Sequence, residues 1–372
     1  MPNILPIPGT PVQELPTPAL ILDLPTLERN IEVMHSFFRG RPAKVRSVTK
    51  GHKCPAIAQM QMSAHGAIPL GLCCAKISEA EEMVQAGARD IRMIEQIVGQ
   101  TSIARLMNLT RHAHVIALVD HPKQVDDLSE GAQFFGTKLD VLVEVEIGLQ
   151  RCGVAPGKPA VDLARYVMGK AGLHFKGLSG HESSSGIIDP SKRITKQREN
   201  FQRLLNARED VQRSGIPVEI CGGGATMAWN VAGSMEGITE IEPGAYIVMD
   251  YGIKQTAPDL EFGLALKILS TVISRPTLER AIIDCGHKMI GLAYQGQMPA
   301  TLIPSGAKIS RLHSEHGIMD LVSEARSLRI GDKVELIPWY YGSTANANDY
   351  YIGVRNERVE CTWRIAARGC HQ

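Results

Sequence analysis

Four short stretches carry residue types able to do chemistry together. Lys50 closes the run KVRSVTK, and a lysine amine held in a partly desolvated place is a nucleophile toward aldehydes. Arg151 follows VEVEIGLQ; it can aim a cation at an anionic or phenolic oxygen, or simply pair with Glu144 or Glu146. His181 closes FKGLSGH, where an imidazole can stack on an aromatic ligand, transfer protons near neutral pH, or only hydrogen-bond its neighbours. Gly222, Gly223 and Gly224 follow VEIC. Three glycines at a strand end let backbone N–H groups approach a phosphate, although they also suit a plain tight turn. Their spacing matches neither a Walker loop nor a dinucleotide fingerprint and suits a single phosphate monoester. A lysine, an arginine, a histidine and a glycine cradle on successive strand ends together suit an aromatic aldehyde that bears a phosphate.

The elements that must position these residues are short apolar runs alternating with amphipathic stretches. Runs 19–24, 44–50, 68–74, 90–95, 115–120, 139–147, 175–181, 218–224 and 245–250 read as strands. Stretches 24–38, 77–87 and 189–213 read as helices, the second stopping at Gly87 and the third opening on Asp189-Pro190-Ser191. This alternation predicts a parallel α/β architecture: a TIM-type (β/α)8 barrel, with a doubly wound open sheet as the rival. Beyond residue 255 the pattern becomes strands joined by short turns, which predicts an all-β domain. The expected division is a proline-rich N-terminal arm over 1–17, a barrel over 18–255 and a C-terminal β-domain over 256–372. The arm is read either as packing on a neighbour or as a loose end.

Composition narrows the class. The chain has 372 residues, 44% of them hydrophobic and 21% charged, enough for a sizeable core in two domains. A net charge of +1 gives no basis for capture of nucleic acid or of an anionic membrane surface. No apolar run reaches the roughly 18 residues that span a bilayer. The opening residues lack the basic-then-apolar pattern of a secretory signal. The eight cysteines form no CxxC pair and no zinc spacing, so reduced thiols in a cytoplasmic protein are expected, with no bridge between adjacent Cys73 and Cys74.

The segments TPALILDL, SVTKGHK, LGLCCAKISEAEEMVQAGARDI, VEVEIGLQRCGV, ICGGGATMAW, IEPGAYIVMD and IIDCGHK occur in one order. This series resembles the fold-type III pyridoxal-phosphate enzymes, in particular the D-threonine aldolase and D-serine dehydratase-like group with its 3-hydroxy-aspartate aldolase branch. The resemblance covers nearly the whole chain. It implies an alanine-racemase-like barrel followed by a β-domain, pyridoxal 5'-phosphate as cofactor, an amino-acid substrate and a homodimer. Lys50 matches the Schiff-base lysine, and Arg151 the arginine at the cofactor's phenolic oxygen. Gly222, Gly223, Gly224 and Ala225 match the phosphate loop, and Tyr246 a tyrosine near that phosphate. His181 stands against the cofactor ring, where this group often has tyrosine and the racemases have histidine.

The departures from the family lie at the substrate end. The family's metal-binding histidine and its Cys or Asp partner are replaced by Tyr340 and Gly342, neither an ordinary divalent-metal ligand. The expectation is therefore no metal, with Tyr340 or Tyr341, together with His316 or His181, meeting a substrate β-hydroxyl. On this reading the chain is a lyase for a D-configured β-hydroxy amino acid, by retro-aldol cleavage or dehydration. A racemase or epimerase is the alternative, since it needs two acid/base groups and no metal. A non-catalytic cofactor carrier ranks last, because such carriers are usually shorter and lack a β-domain.

Overall fold

A computed structural model describes residues 5–64, 70–182, 184, 186–291 and 297–372. The chain forms two compact units: Met1–Val33, Gly51–Ala56 and Ala245–Arg368 in one, and Met34–Lys50, Ile57–Gly244 and Gly369–Gln372 in the other. In chain order the strands are β1 (Ala19–Asp23), β2 (Lys44–Val45), β3 (Ser47–Val48), β4 (Leu72–Cys74), β5 (Asp90–Gln96), β6 (His114–Val119), β7 (Leu139–Glu144), β8 (Leu173–Gly180), β9 (Ile220–Gly223) and β10 (Glu240–Ile241). They continue as β11 (Leu266–Thr277), β12 (Arg280–Ile283), β13 (Ala300–Ile303), β14 (Ala307–Leu312), β15 (Gly317–Leu321), β16 (Lys333–Ile337), β17 (Tyr350–Arg355) and β18 (Arg358–Arg364).

The second unit is the barrel. Its sheet runs β2-β10-β9-β8-β7-β6-β5-β4-β3, every pairing parallel. Strands β2 and β3 are two pieces of one strand interrupted at Arg46, so nine segments make eight strand positions and the two ends of the sheet meet there. This is the TIM-type barrel, and the open sheet falls away. Arg46 breaks the strand for a reason. Its buried guanidinium pairs with Asp90 and, at 3.0 Å, with Glu240, while Arg92 pairs with Glu240 and Glu242. Such a network inside a barrel is stable only because each charge meets its opposite. Expected helices 24–38, 77–87 and 189–213 form as Leu24–Phe37, Ile77–Gln85 and Pro190–Arg213. Asp189 caps the last by accepting from the Ser191 and Lys192 backbone.

The other unit is a mixed sheet, ordered β14-β15-β12-β11-β1-β17-β18, with β16 and β13 branching from β11. Two expectations are corrected here. Strand β1, expected in the barrel, pairs antiparallel with β11 and parallel with β17. The run 245–250 is not a strand: Ala245–Ile247 is a turn of 3-10 helix, and Asp250 caps the helix Tyr251–Thr256. Both errors have one cause: a short buried apolar run has no period that names its partner or its type. In the region beyond residue 255, expected as strands joined by short turns, β16 stops at Ile337, before Pro338, and Tyr341–Ala347 is helical. The proline-rich arm is tied down. Gly9 and Val12 donate to Val359 and Glu357, and Val12 and Leu15 join a core with Ile21, Leu269, Val354 and Val359. Part of the expected strand 68–74 lies outside the described residues; the rest forms β4.

Candidate active site

Parallel barrel strands gather their carboxyl ends at one rim, where side chains can converge without breaking the sheet. Lys50 lies two residues beyond β3, and Thr49 before it is held firmly. Its N–H donates to Cys73 O at 2.9 Å, and its hydroxyl contacts both that carbonyl and Glu79. Glu79 also accepts from the Ala75 backbone at 3.0 Å, so one buried carboxylate ties the ends of β3 and β4 together. Arg151 sits in the loop after β7. There Glu146 accepts the Gly148 and Gln150 N–H groups at 2.6 and 2.8 Å, and Gln150 takes φ 56°, which few residues with a side chain adopt. His181 follows β8 directly, and the three glycines run from the end of β9.

Lys50 is open above the rim but ringed by protein. Desolvation first, then the charge of Arg151, lower its pKa against Glu79 and Glu242. A lysine so placed sheds its proton more readily and becomes a better nucleophile. His181 is pushed down to about 4 by desolvation and by the charges of Arg151 and Lys50, with a hydrogen bond to the Gly224 backbone opposing. Its ring is therefore neutral near pH 7. Arg151 lies 3.8 Å from Glu144, so the ion pair read as its bland role does exist, yet 47% of its side chain stays exposed. Burial pushes Glu144 up, opposed by Gln96 and Arg151.

The glycine segment is close-packed against neighbouring backbone. A Cβ on Gly222 would stand 2.2 Å from Glu240 O, and one on Gly223 2.1 Å from Gly180 O. Gly224, at φ +86°, lies against the Phe201 ring. A side chain at these positions would collide with its neighbours, so glycine is required by packing; the phosphate role remains what the resemblance implies.

The mixed-sheet unit carries the remaining expected residues. Tyr246 is wholly buried, its ring 5.7 Å from that of Phe262. Tyr341 opens the helix Tyr341–Ala347; its N–H donates to Asp250, and its hydroxyl lies against Gly51, the residue after Lys50. Burial pushes Asp250 up to about 6 despite the N–H bonds from Ile253 and Tyr341. Tyr340 stacks edge-on to Tyr341 at 5.6 Å and lies over Gly342, where a Cβ would come 2.8 Å from its hydroxyl. His316 is in the exposed turn between β14 and β15, beside the Lys288–Glu315 pair. Among the described residues no group of three or more His, Cys, Asp or Glu could hold a metal ion.

Sequence reasoning gave no role to Gly51, Glu79 or Asp250.

A lysine whose pKa is lowered by burial, beside a close-packed glycine edge at the carboxyl rim of a parallel barrel, suits the alanine-racemase-like class of pyridoxal-phosphate barrel. The comparisons make this particular. The chain matches the alanine racemase N-terminal domain over residues 22–252 and the serine dehydratase domain over 265–354. It is 32% identical to D-threonine aldolase of Arthrobacter sp, covering 97% of this chain and 95% of that one. It is 31% identical to 3-hydroxy-D-aspartate aldolase of Paracoccus denitrificans (strain Pd 1222), covering 98% and 95%. The crystal structure of D-threonine aldolase from Filomicrobium marinum superposes with a TM-score of 0.94 at 33% identity, covering 99% of this chain and all of that one. The chain belongs to the D-threonine aldolase and D-serine dehydratase-like family of alanine-racemase-fold proteins, and its cofactor is pyridoxal 5'-phosphate. No helix among the described residues is long and apolar enough to cross a membrane.

Proposed function

We propose that the protein is a lyase acting on a D-configured β-hydroxy amino acid, by retro-aldol cleavage or dehydration, without the family's divalent metal. The observation that carries the reading is Lys50, its pKa lowered by desolvation and by Arg151, on a rim shared with neutral His181 and the glycine edge. The relatives named above, an aldolase for D-threonine and one for 3-hydroxy-D-aspartate, support the substrate class.

Lys50, Arg151, His181, Gly222, Gly223, Gly224, Ala225 and Tyr246 would hold the cofactor. When bound, it supplies an electron sink for the bond broken at the substrate's Cα. Lys50 then serves as proton carrier on its side of the site, since burial and Arg151 make its proton easier to release. Neutral His181 offers a flat uncharged face and does not protonate its neighbour. Tyr341, held against Gly51, is the group proposed to exchange a proton with the substrate's β-hydroxyl, with Tyr340 beside it. As a phenol, Tyr341 would give a proton to a departing hydroxyl, which favours dehydration; retro-aldol cleavage needs a separate base for the β-hydroxyl proton. His316 is kept as a second donor by the resemblance alone.

The metal-free part rests on Tyr340 and Gly342, which stand at the family's ligand positions and pack on each other. The test is a panel of D- and L-β-hydroxy amino acids given to the holoenzyme with and without a chelator. Release of aldehyde, or of keto acid and ammonia, from D-substrates regardless of chelator is the expected result. Activity abolished by the chelator removes the metal-free part. Solvent deuterium at Cα of both enantiomers, without cleavage, makes the protein a racemase.

A further inference from the structure

Glu182 follows His181 at the end of β8 and is wholly buried. Neither of its carboxyl oxygens meets a donor in hydrogen-bond geometry, and the buried Asn200 Oδ1 meets none either. Asn200, on the helix Pro190–Arg213, is the one side chain that acts on the Glu182 carboxyl. No cation faces it. Arg193 of the same helix donates to the Ile187 and Ile188 carbonyls, and Arg203 acts on Glu146. Asn200 also packs on Gly148, whose φ is +134° and whose Cβ would stand 2.5 Å from Oδ1. Gly148 begins the turn that ends in Arg151. One carboxyl–amide neighbourhood thus sits behind both His181 and the Arg151 loop.

An ionised carboxylate and an amide oxygen are both acceptors, and burying them together without a donor is costly. A protonated Glu182 resolves this. Its O–H donates to Asn200 Oδ1, and the Asn200 amide N–H donates back, so all three oxygens are met in one ring of hydrogen bonds. We propose that Glu182 is a positioning residue whose protonated carboxyl, through Asn200 and Gly148, clamps His181 and the Arg151 loop in the geometry that grips the cofactor. The inference rests on the reading that His181 and Arg151 hold that cofactor.

Burial pushes the Glu182 carboxyl up to about 7, well above its ordinary range. The folded pKa lies above the unfolded one, so the contribution to stability is full below the ordinary carboxylate pKa and is lost as pH rises through about 7. Losing the proton strands a buried charge with no cation and loosens the clamp.

The test compares holoenzyme with Glu182→Gln, which keeps the shape and the N–H donor and cannot titrate. Cofactor dissociation constant and thermal midpoint are followed from about pH 6 to pH 9. Wild type should bind the cofactor on the order of tenfold more weakly at the alkaline end, a change of about one pKa unit's worth of free energy. Glu182→Gln should be flat and Glu182→Ala weak throughout. An infrared band of a protonated carboxyl, present near neutrality, lost in alkali and missing in Glu182→Gln, reads the proton directly. The same alkaline weakening in Glu182→Gln overturns the proposal. Should that variant not fold, wild type with carbon-13 glutamate decides: no protonated carboxyl near neutrality overturns it equally. A protein that never takes up the cofactor fails the functional reading instead, while the infrared result still judges Glu182.

Discussion

The Tyr341 hydroxyl occupies the space that a side chain on Gly51 would need: a Cβ there would stand 2.0 Å from Oη. The residue after Lys50 is thus glycine because a tyrosine from another part of the chain fills its place. Gly51→Ala should displace the hydroxyl and lower kcat on the order of a hundredfold, as loss of a positioned proton carrier does. Tyr341→Phe should cost as much, and the double variant no more. Fully additive losses in steady-state kinetics would show that the two act separately.

Lys50 is proposed as the point of covalent attachment. Borohydride treatment of the holoenzyme should add the reduced cofactor's mass to the peptide containing Lys50, and Lys50→Ala should lose both the adduct and essentially all turnover. An adduct on Lys53 or Lys76, read by mass spectrometry, would move the site.

His181 predicts an acid limb in stability. Its folded pKa, about 4, lies below the ordinary imidazole value of 6.5. Its contribution is therefore present above pH 6.5 and lost as pH falls through about 4. The full swing is about 3 kcal/mol at 1.36 kcal/mol per unit. His181→Gln should flatten denaturant midpoints between these limits; an unchanged slope would place the acid sensitivity elsewhere.

At the amino ends of the barrel strands, His114 bridges Asp90 and Asp140 at 3.1 and 2.9 Å. These hydrogen bonds raise its pKa against the desolvation that opposes them. Its stabilisation is full below the ordinary histidine pKa and fades as pH rises through the raised one. With 48% of the side chain exposed, screening limits the effect to less than about 1 kcal/mol. His114→Ala should lower the thermal midpoint at acid pH and leave it nearly unchanged at alkaline pH.

The barrel was legible because its local signals agree. β-Branched runs alternate with amphipathic helices, and the reactive residues fall at run ends, so Lys50, Arg151, His181 and the glycines could be placed on one rim in advance. The run 19–24 was misassigned because its pattern suits any buried strand. Pairing with β11 and β17 is a contact between residues hundreds of positions apart, and no local period encodes it. The helix Tyr341–Ala347 was hidden by two tyrosines and a tryptophan, which read as strand formers until Pro338 ended β16.

The sequence by itself determined the barrel architecture and the family, because periodicity and motif order are written along the chain. The tertiary structure alone decided the electrostatic state of the candidate site residues. Whether Lys50 is poised, His181 neutral or Glu182 protonated depends on desolvation and on charges brought from distant strands. Burial is a property of the packed fold and not of any residue type.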